Sequence, residues 1–167
     1  QRIDVNAMDD IGYTALLWLY NAPGISDELV LELVEFLLQS PRIDINTVGY
    51  QSILHIAGNA NEAEVVFKAA TKRYIDANRR DPNGRTPAHY AFGYYYDSKR
   101  KYVPVQPPFT LKKFDATVEV FLKYAKYLCI DFEATDDKGR TPLHYMYRAR
   151  SKAEVAEFLE AAKKLYN

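Results

Sequence analysis

Apolar residues recur along this chain at helical spacing in three separate segments. Each segment places two adjacent apolar residues four positions before a second apolar pair, and such positions share one face of a helix. The three sets are Leu33, Val34, Leu37 and Leu38; Val65, Val66, Ala69 and Ala70; and Val120, Phe121, Tyr124 and Ala125. The pattern predicts three amphipathic helices, each with one buried stripe.

Two short phrases recur together along the chain. The first is Ile-Asp-x-Asn, with Glu in place of Asn in the last copy, and the second begins with Thr or Ser six to eight residues later. Copies of the first begin at Ile3, Ile43, Ile75 and Ile130, and copies of the second at Thr14, Ser52, Thr86 and Thr141. Two linked phrases repeated four times indicate one supersecondary unit, repeated at spacings of 38, 34 and 55 residues.

The second phrase follows an Asp-x-x-Gly turn and precedes a helical segment. Its most regular copies read Asp-Pro-Asn-Gly-Arg-Thr-Pro-Ala-His-Tyr-Ala at 81–91 and Asp-Asp-Lys-Gly-Arg-Thr-Pro-Leu-His-Tyr at 136–145. These motifs resemble the ankyrin repeat, whose period is about 33 residues. The resemblance covers the whole chain, and it is weakest in the second copy, where Tyr50 stands in place of the turn glycine.

The resemblance implies an all-α fold, an ankyrin-repeat solenoid of four helix-turn-helix units with short β-turn fingers. Residues 1–167 would form a single domain. Repeat 1 would span about 6–42, repeat 2 about 43–75, repeat 3 about 76–130 with an insertion at 94–114, and repeat 4 about 131–167. Local signals agree, since Pro87 and Pro142 suit the first turn of a helix and Ser26 suits an N-cap.

The insertion at 94–114 separates the two helices of repeat 3. A loop this long without secondary structure is uncommon inside a compact domain. One interpretation is a tolerated loop whose aromatic residues fold over the outer helices. A second is a polyproline ligand, because Lys101, Pro104 and Pro107 have the spacing that SH3-type grooves bind. A third is a basic, tyrosine-rich segment for phosphate groups, acidic peptides or single-stranded nucleic acid.

The two ends of the chain differ in character. The last outer helix has a polar face and resembles the terminal cap of a repeat stack. The first outer helix is apolar on most sides, so either an upstream repeat covers it or it packs against a partner. We therefore expect weak self-association, if any, to involve repeat 1. Because the chain begins with Gln1 inside a repeat, we expect it to be a piece of a longer protein.

The composition of the chain limits the classes of function that we expect for it. The 167 residues include 22 basic and 22 acidic side chains, so no net charge draws the chain to nucleic acid or to an anionic membrane, and we expect neither as a partner. No apolar run approaches the roughly 20 residues of a membrane span. The single cysteine, Cys129, favours a reducing intracellular compartment, cytoplasmic or nuclear, and we expect a buried or half-buried structural thiol.

No residues in the sequence have the pattern of a catalytic or metal site. The three histidines, His55, His89 and His144, hold the same position in different repeats. Equivalent positions of stacked helices lie roughly 8–10 Å apart, too far to share one metal ion. The resemblance implies instead that each histidine bonds to the Thr or Ser three residues earlier. We therefore expect no enzyme activity, no cofactor, no metal and no small-molecule substrate.

The resemblance implies a non-catalytic module that binds a protein or peptide partner on its concave face. The alternatives are a structural or autoinhibitory segment, or a substrate-recruiting domain of a larger enzyme or channel. Aromatic residues on the inner helices could face a partner or simply pack between helices. The expected partner-binding residues are Asp10, Ile11, Tyr13, Trp18, Asn21, Tyr50, Asn59, Arg80, Asn83, Arg85, Tyr90, Tyr94, Asp137, Lys138, Arg140, Tyr145 and Arg148.

Overall fold

The computed structural model describes residues 3–21, 24–46, 51–57, 59–96, 102–104, 112–149 and 152–166. These residues form eight helices and two short strands, so the fold is predominantly helical, as expected. In chain order the elements are α1 Ala15–Asn21, α2 Asp27–Leu38, α3 Ile53–Ile56, α4 Ala60–Ala70, α5 Pro87–Gly93, β1 Tyr94–Tyr96, β2 Tyr102–Pro104, α6 Lys112–Leu128, α7 Pro142–Ala149 and α8 Lys152–Tyr166.

The helices form two layers. The odd-numbered helices contact one another in chain order, and so do the even-numbered helices. Each odd-numbered helix also contacts the even-numbered helix that follows it. We therefore describe four units, in which unit 1 is α1–α2, unit 2 is α3–α4, unit 3 is α5–α6 and unit 4 is α7–α8.

Aromatic side chains in the core join neighbouring units. The ring of Phe67 in α4 meets Phe121 edge-on at a centroid distance of 4.8 Å and stacks on Tyr124 at 5.2 Å, both in α6. Phe92 of α5 meets Phe158 of α8 at 5.1 Å. Full burial of one such side chain contributes about 1.5–3 kcal/mol. These contacts run from unit to unit, so each unit depends on its neighbours for its core.

Two outer helices begin at capping side chains. Ser26 Oγ accepts a hydrogen bond from the Leu29 backbone N–H at 3.3 Å, which confirms the N-cap predicted for α2. Asn59 Oδ1 accepts one from the Glu62 N–H at 3.0 Å and caps α4. Asn59 was predicted to bind a partner. Its side-chain oxygen instead satisfies a backbone donor at the helix end, where such groups lack partners within the helix.

The Ile-Asp-x-Asn phrase joins each unit to the next through its asparagine. Asn6 Oδ1 accepts from the Asp44 N–H at 2.8 Å, and Asn6 Nδ2 donates to the Arg42 carbonyl at 2.8 Å. The same two bonds link Asn46 to Asp76 and Tyr74, and Asn78 to Asp131 and Cys129. A carboxamide carries both a donor and an acceptor, which explains why these three copies hold Asn.

The histidines hold the same position in units 2, 3 and 4 because they form a second set of hydrogen bonds, which we call the His–Thr lock. Nδ1 of His89 accepts from the Thr86 N–H at 3.0 Å and lies 2.9 Å from Thr86 Oγ1. Because Nδ1 accepts, Nε2 carries the proton, and it donates to the Arg140 carbonyl of the next unit at 2.9 Å. His55 repeats these contacts with Ser52 and with the Arg85 carbonyl. The expected bonding of His to Thr is confirmed, and the histidines join units.

Replacement of Thr86 by Ala should lower the free energy of unfolding by about 1–3 kcal/mol, because a buried hydrogen-bond partner of His89 is lost. Urea denaturation measures the change. Thr141→Ala is the matched control, since the equivalent His144 is exposed and the lock there is open to water. We expect less than half the effect at Thr141. A change below about 0.3 kcal/mol at Thr86 would contradict a stabilising lock.

The insertion contains secondary structure that the sequence did not predict. Strands β1 and β2 pair antiparallel, with Tyr95 opposite Val103. The predicted insertion therefore contains strands at residues 94–96 and 102–104, and its residues 112–114 belong to α6. Residues 97–101 and 105–111 lie outside the described part of the chain, and so do Lys101 and Pro107 of the proposed polyproline motif.

Cys129 departs from the expectation of a buried or half-buried thiol. It is exposed and directly follows α6, with a positive φ of 52°. A residue just after a helix often takes this left-handed conformation to end the helix, and glycine is the usual choice. Among the described helices, none is both long and apolar enough to cross a lipid bilayer.

Candidate interaction surface

Three surface turns share one hydrogen-bonding pattern centred on an aspartate. Asp81 Oδ1 accepts from the N–H groups of Asn83 at 2.9 Å and Arg85 at 2.8 Å. The Gly84 N–H donates to the Asp81 carbonyl at 2.9 Å, and Gly84 has a φ of 74°. The same bonds surround Asp9 and Asp136. We call these turns, at 9–13, 81–85 and 136–140, the fingers of units 1, 3 and 4.

The second carboxylate oxygen of Asp81 ties the finger of unit 3 to its inner helix. Asp81 Oδ2 accepts from Arg85 Nε at 2.7 Å and from the Tyr90 hydroxyl at 2.7 Å. The Arg85 guanidinium lies 4.8 Å from the centre of the Tyr90 ring. Gln51 of unit 2 donates to the Tyr90 hydroxyl at 2.9 Å. We call this arrangement the Asp–Arg–Tyr clasp.

Unit 4 contains the same clasp at the same sequence spacing. Asp136 Oδ2 accepts from Arg140 Nε at 2.8 Å and from the Tyr145 hydroxyl at 2.7 Å. Arg140 again lies over the tyrosine ring, at 4.8 Å. In both units the arginine comes four residues after the aspartate and the tyrosine nine residues after it. The clasp therefore fixes the position of each finger relative to its inner helix.

Unit 1 carries a variant of the clasp. Tyr13 replaces the arginine and Trp18 replaces the tyrosine. Trp18 Nε1 donates to Asp9 Oδ2 at 2.6 Å, and the Tyr13 ring lies 5.6 Å from the Trp18 ring. Trp18 is 46% exposed, although Tyr90 at the equivalent position is only 4% exposed. Unit 1 thus presents a large aromatic surface in a fixed orientation.

The packing of histidines explains this difference in exposure. The Tyr90 ring meets His55 of the preceding unit edge-on at 5.3 Å, and the Tyr145 ring meets His89 in the same way at 5.3 Å. Each histidine thus packs against the ring of the next tyrosine. Among the described residues, no histidine packs against Trp18 in this way.

Hydrogen bonds keep the clasp aspartates charged. Burial raises the pKa of Asp81, but hydrogen bonds from Arg85, Tyr90 and the turn backbone outweigh it, so its pKa lies below the usual value. Burial likewise raises the pKa of Asp136, but hydrogen bonds from Arg140 and from the backbone outweigh burial. The pKa of Asp136 therefore lies far below its usual value. Burial, followed by the bond to Asp81, raises the pKa of Tyr90. The clasp of unit 3 is therefore a charged pair with a neutral phenol at neutral pH.

Two predicted contact residues are supporting residues in the structure. Tyr90 and Tyr145 were expected to be candidates for the concave face, yet they are only 4% and 8% exposed. Their hydroxyls bond to aspartates and their rings lie under arginines. Packing between helices, the alternative left open by the sequence, is the role that the structure gives them.

Several predicted residues do lie exposed on the fingers. Ile11 is 51% exposed, and Lys138 is exposed at the equivalent position of unit 4. Arg80 donates to the carbonyls of Gly84 and Thr135, and so connects the fingers of units 3 and 4. We call the exposed residues on the fingers and directly beside them the finger surface; they are Met8, Asp10, Ile11, Trp18, Arg80, Asn83, Asp137 and Lys138.

The remaining predicted residues cannot be assigned to this surface. Tyr50 lies outside the described residues. Asn21, Tyr94 and Arg148 belong to α1, β1 and α7, but their side chains lie outside the described part of the structure.

A depression of about 570 Å³ is lined by residues 70–78 and 127–129, none of which belongs to the finger surface. Arg73 in its lining already donates to the backbone carbonyls of Leu38, Ser40 and Ile43. Among the described residues, no group of three or more His, Cys, Asp or Glu side chains could hold a metal ion. The finger surface, with its repeated frame and its exposed Trp18, is the better candidate for function.

No protein-family model matches this sequence. A comparison with curated proteins also finds no match.

Proposed function

We propose that this chain is an ankyrin-repeat domain and that it acts as a non-catalytic interaction module, binding a protein or peptide partner on the finger surface. The observation that carries the proposal is the repetition of one hydrogen-bonded turn, in which Asp9, Asp81 and Asp136 make the same backbone contacts. The frame is constant, while the exposed side chains on it differ from unit to unit.

The exposed finger residues change in character from unit 1 to unit 4. At the third position of each finger the residues are Ile11, Asn83 and Lys138. One position before the aspartate they are Met8, Arg80 and Thr135. At these two positions unit 1 is thus apolar and units 3 and 4 are polar or basic, whereas the second finger position holds Asp10 in unit 1 and Asp137 in unit 4. Since the turn backbone is the same in all three, the apolar residues are not required to form it.

Such a surface suits an extended partner. Exposed tryptophan is among the residue types that dominate binding energy at interfaces. Trp18 is held by its bond to Asp9, so little conformational freedom is lost when a partner covers it. We infer that a partner places an apolar side chain on unit 1 and acidic groups near the basic residues of units 3 and 4. The host would be an intracellular protein, consistent with one unpaired and exposed cysteine.

Selection from a random peptide-display library tests the proposal. Peptides that bind the domain should bind the double variant Ile11→Ser with Lys138→Glu at least about tenfold more weakly, because an apolar and a basic contact are both lost. The matched control is Tyr74→Ser with Lys72→Glu, which changes exposed residues beside the depression. Circular dichroism should remain helical in both variants, and the control should bind like the unmodified chain.

A variant that lacks residues 97–111 distinguishes binding by the finger surface from binding by the insertion. Affinity within a few-fold of the unmodified chain is expected. Loss of binding in the deletion, with binding kept in the finger variant, would transfer the site to the insertion. Selection of no finger-dependent peptide would instead favour a structural or autoinhibitory segment, or a domain that recruits substrate for its own enzyme or channel by another surface.

A further inference from the structure

The outer helix of unit 1, α2, carries acidic side chains that the fold leaves unpaired. Residues 27–38 include four acidic side chains and no basic one. In unit 2, by contrast, the exposed edge of α4 pairs its glutamate, since Glu64 lies 2.7 Å from Lys123 of α6. Three exposed glutamates of α2 form no hydrogen bond or ion pair within the described part of the chain; they are Glu28, Glu32 and Glu35.

These carboxylates do not stabilise their own helix as a set. Glu28 and Glu32 are four residues apart, and like charges at this spacing destabilise a helix. Glu35 lies in the last turn, where the negative end of the helix dipole disfavours an acidic side chain. The folding of α2 therefore does not explain why these positions hold glutamate.

Two exposed apolar residues lie among the glutamates. Leu29 and Phe36 are seven residues apart, so they share one face of α2 at a separation of about two helical turns. Phe36 is 70% exposed, and Leu29 is exposed as well. Glu32 lies between them on the same face. We call Leu29, Phe36 and the three glutamates the α2 face.

The exposure of the two apolar residues does not depend on where the chain begins. Counted back from the next Ile-Asp-x-Asn phrase, Leu29 corresponds to Asn61 of α4, and Phe36 corresponds to Lys68. Helix α4 contacts both α2 and α6. Asn61 is nevertheless exposed, and the Lys68 side chain is 67% exposed. A preceding unit would therefore leave these two positions of α2 open to solvent as well.

The first unit is acidic as a whole, although the chain has no net charge. Residues 3–41 contain seven acidic side chains and no lysine, arginine or histidine. Residues 42–167 contain 21 basic and 15 acidic side chains. An acidic surface attracts cationic groups and repels anionic ones, among them nucleic acids and anionic membranes. The charge around the α2 face therefore favours a basic partner.

We propose that the α2 face is a docking site for a basic amphipathic segment of a partner protein. The segment packs two apolar side chains on Leu29 and Phe36, and its lysines or arginines pair with the three glutamates. Docking removes apolar surface from water and gives partners to charges that have none in the fold. This second site is distinct from the finger surface and does not depend on the proposed function.

Fluorescence anisotropy with a labelled synthetic peptide tests the proposal. The probe is built of leucine and lysine, arranged so that a helix of it has one apolar and one basic face. The double variant Leu29→Ser with Phe36→Ser should bind the probe at least about tenfold more weakly than the unmodified chain, because both apolar contacts are lost. Glu32→Lys with Glu35→Lys should also weaken binding at least about tenfold, because attraction becomes repulsion.

Matched controls change the same residue types elsewhere. Glu119→Lys with Glu133→Lys reverses two exposed glutamates of units 3 and 4, and Tyr74→Ser removes an exposed aromatic ring. Both controls should bind the probe within about twofold of the unmodified chain, because isolated surface charges contribute little. A probe with glutamate in place of every lysine should bind the unmodified chain at least about tenfold more weakly. Circular dichroism verifies that every variant is folded.

Three results would overturn the proposal. Equal binding by the unmodified chain and by Leu29→Ser with Phe36→Ser would show that the apolar residues take no part. Loss of binding in the finger variant Ile11→Ser with Lys138→Glu would place the probe on the finger surface. Sedimentation velocity that detects self-association, abolished by Leu29→Ser with Phe36→Ser, would show that a second copy of the chain occupies the α2 face.

Discussion

Replacement of Asp81 by Ala should lower the free energy of unfolding by about 3 kcal/mol, because removal of one member of a buried ion pair leaves the other charge without its partner. The side chain of Asp81 is 1% exposed and lies 2.6 Å from Arg85 Nη2. It also accepts the Tyr90 hydroxyl and two backbone N–H groups of the finger. All of these donors lose their acceptor at once, which makes this a large effect for a single residue of a surface turn.

Urea denaturation measures this change, and Asp10→Ala is the matched control. Asp10 lies in a finger of the same geometry but is exposed, so we expect a change within about 0.5 kcal/mol. The change in the free energy of unfolding for Asp81→Asn should lie between those of the two alanine variants, because an amide keeps one acceptor oxygen but not the charge. Equal stability of Asp81→Ala and Asp10→Ala would show that the clasp contributes nothing to folding.

Several helices could be predicted because each has a local signal. Ser26 precedes an apolar stripe and caps α2, as expected. The stripes themselves were placed correctly, with Val34 and Leu38 buried in α2. The lock was expected from the resemblance of the Thr–His phrase to a known repeat, and the structure forms it between residues that are three positions apart.

The clasp was not predicted, although a signal for it exists. Asp-x-x-x-Arg-x-x-x-x-Tyr occurs at 81–90 and at 136–145, and unit 1 has aromatic residues at the last two positions. The sequence left the exposure of Tyr90 open for a physical reason. His55, which packs against its ring, comes from another unit, and a contact across units is set by packing distance and not by local spacing.

The hairpin of β1 and β2 was missed because its sequence gives conflicting signals. Tyr94, Tyr95 and Tyr96 favour a strand by propensity, but they directly follow helix α5 and precede a run of charged residues. Pro104 ends β2, and proline cannot donate to a ladder bond. Such short strands depend on pairing with each other, which no single segment predicts.

Stability should also depend on pH through the buried histidines. Burial is the largest influence on His55 and lowers its pKa from 6.5 to about 4, and burial lowers the pKa of His89 as well. Below pH 6.5 the unfolded chain therefore binds protons that the folded chain does not. Stability is lost wherever the unfolded state binds more protons as pH falls. The clasp carboxylates have lowered pKa values, so their contribution is present above pH 4 and is lost only in stronger acid.

We expect the free energy of unfolding to fall by about 3 kcal/mol for His55 alone as pH decreases from 6.5 to 4, since each pKa unit corresponds to about 1.4 kcal/mol. Urea denaturation at half-unit steps of pH measures the slope. His55→Ala should be less stable at pH 7, because Ser52 and the Arg85 carbonyl lose their partner, yet its stability should decline less steeply below pH 6.5. The slope of the free energy of unfolding against pH distinguishes the titration of His55 from a simple loss of packing. An unchanged slope in His55→Ala would show that this histidine does not carry the acid sensitivity of the fold.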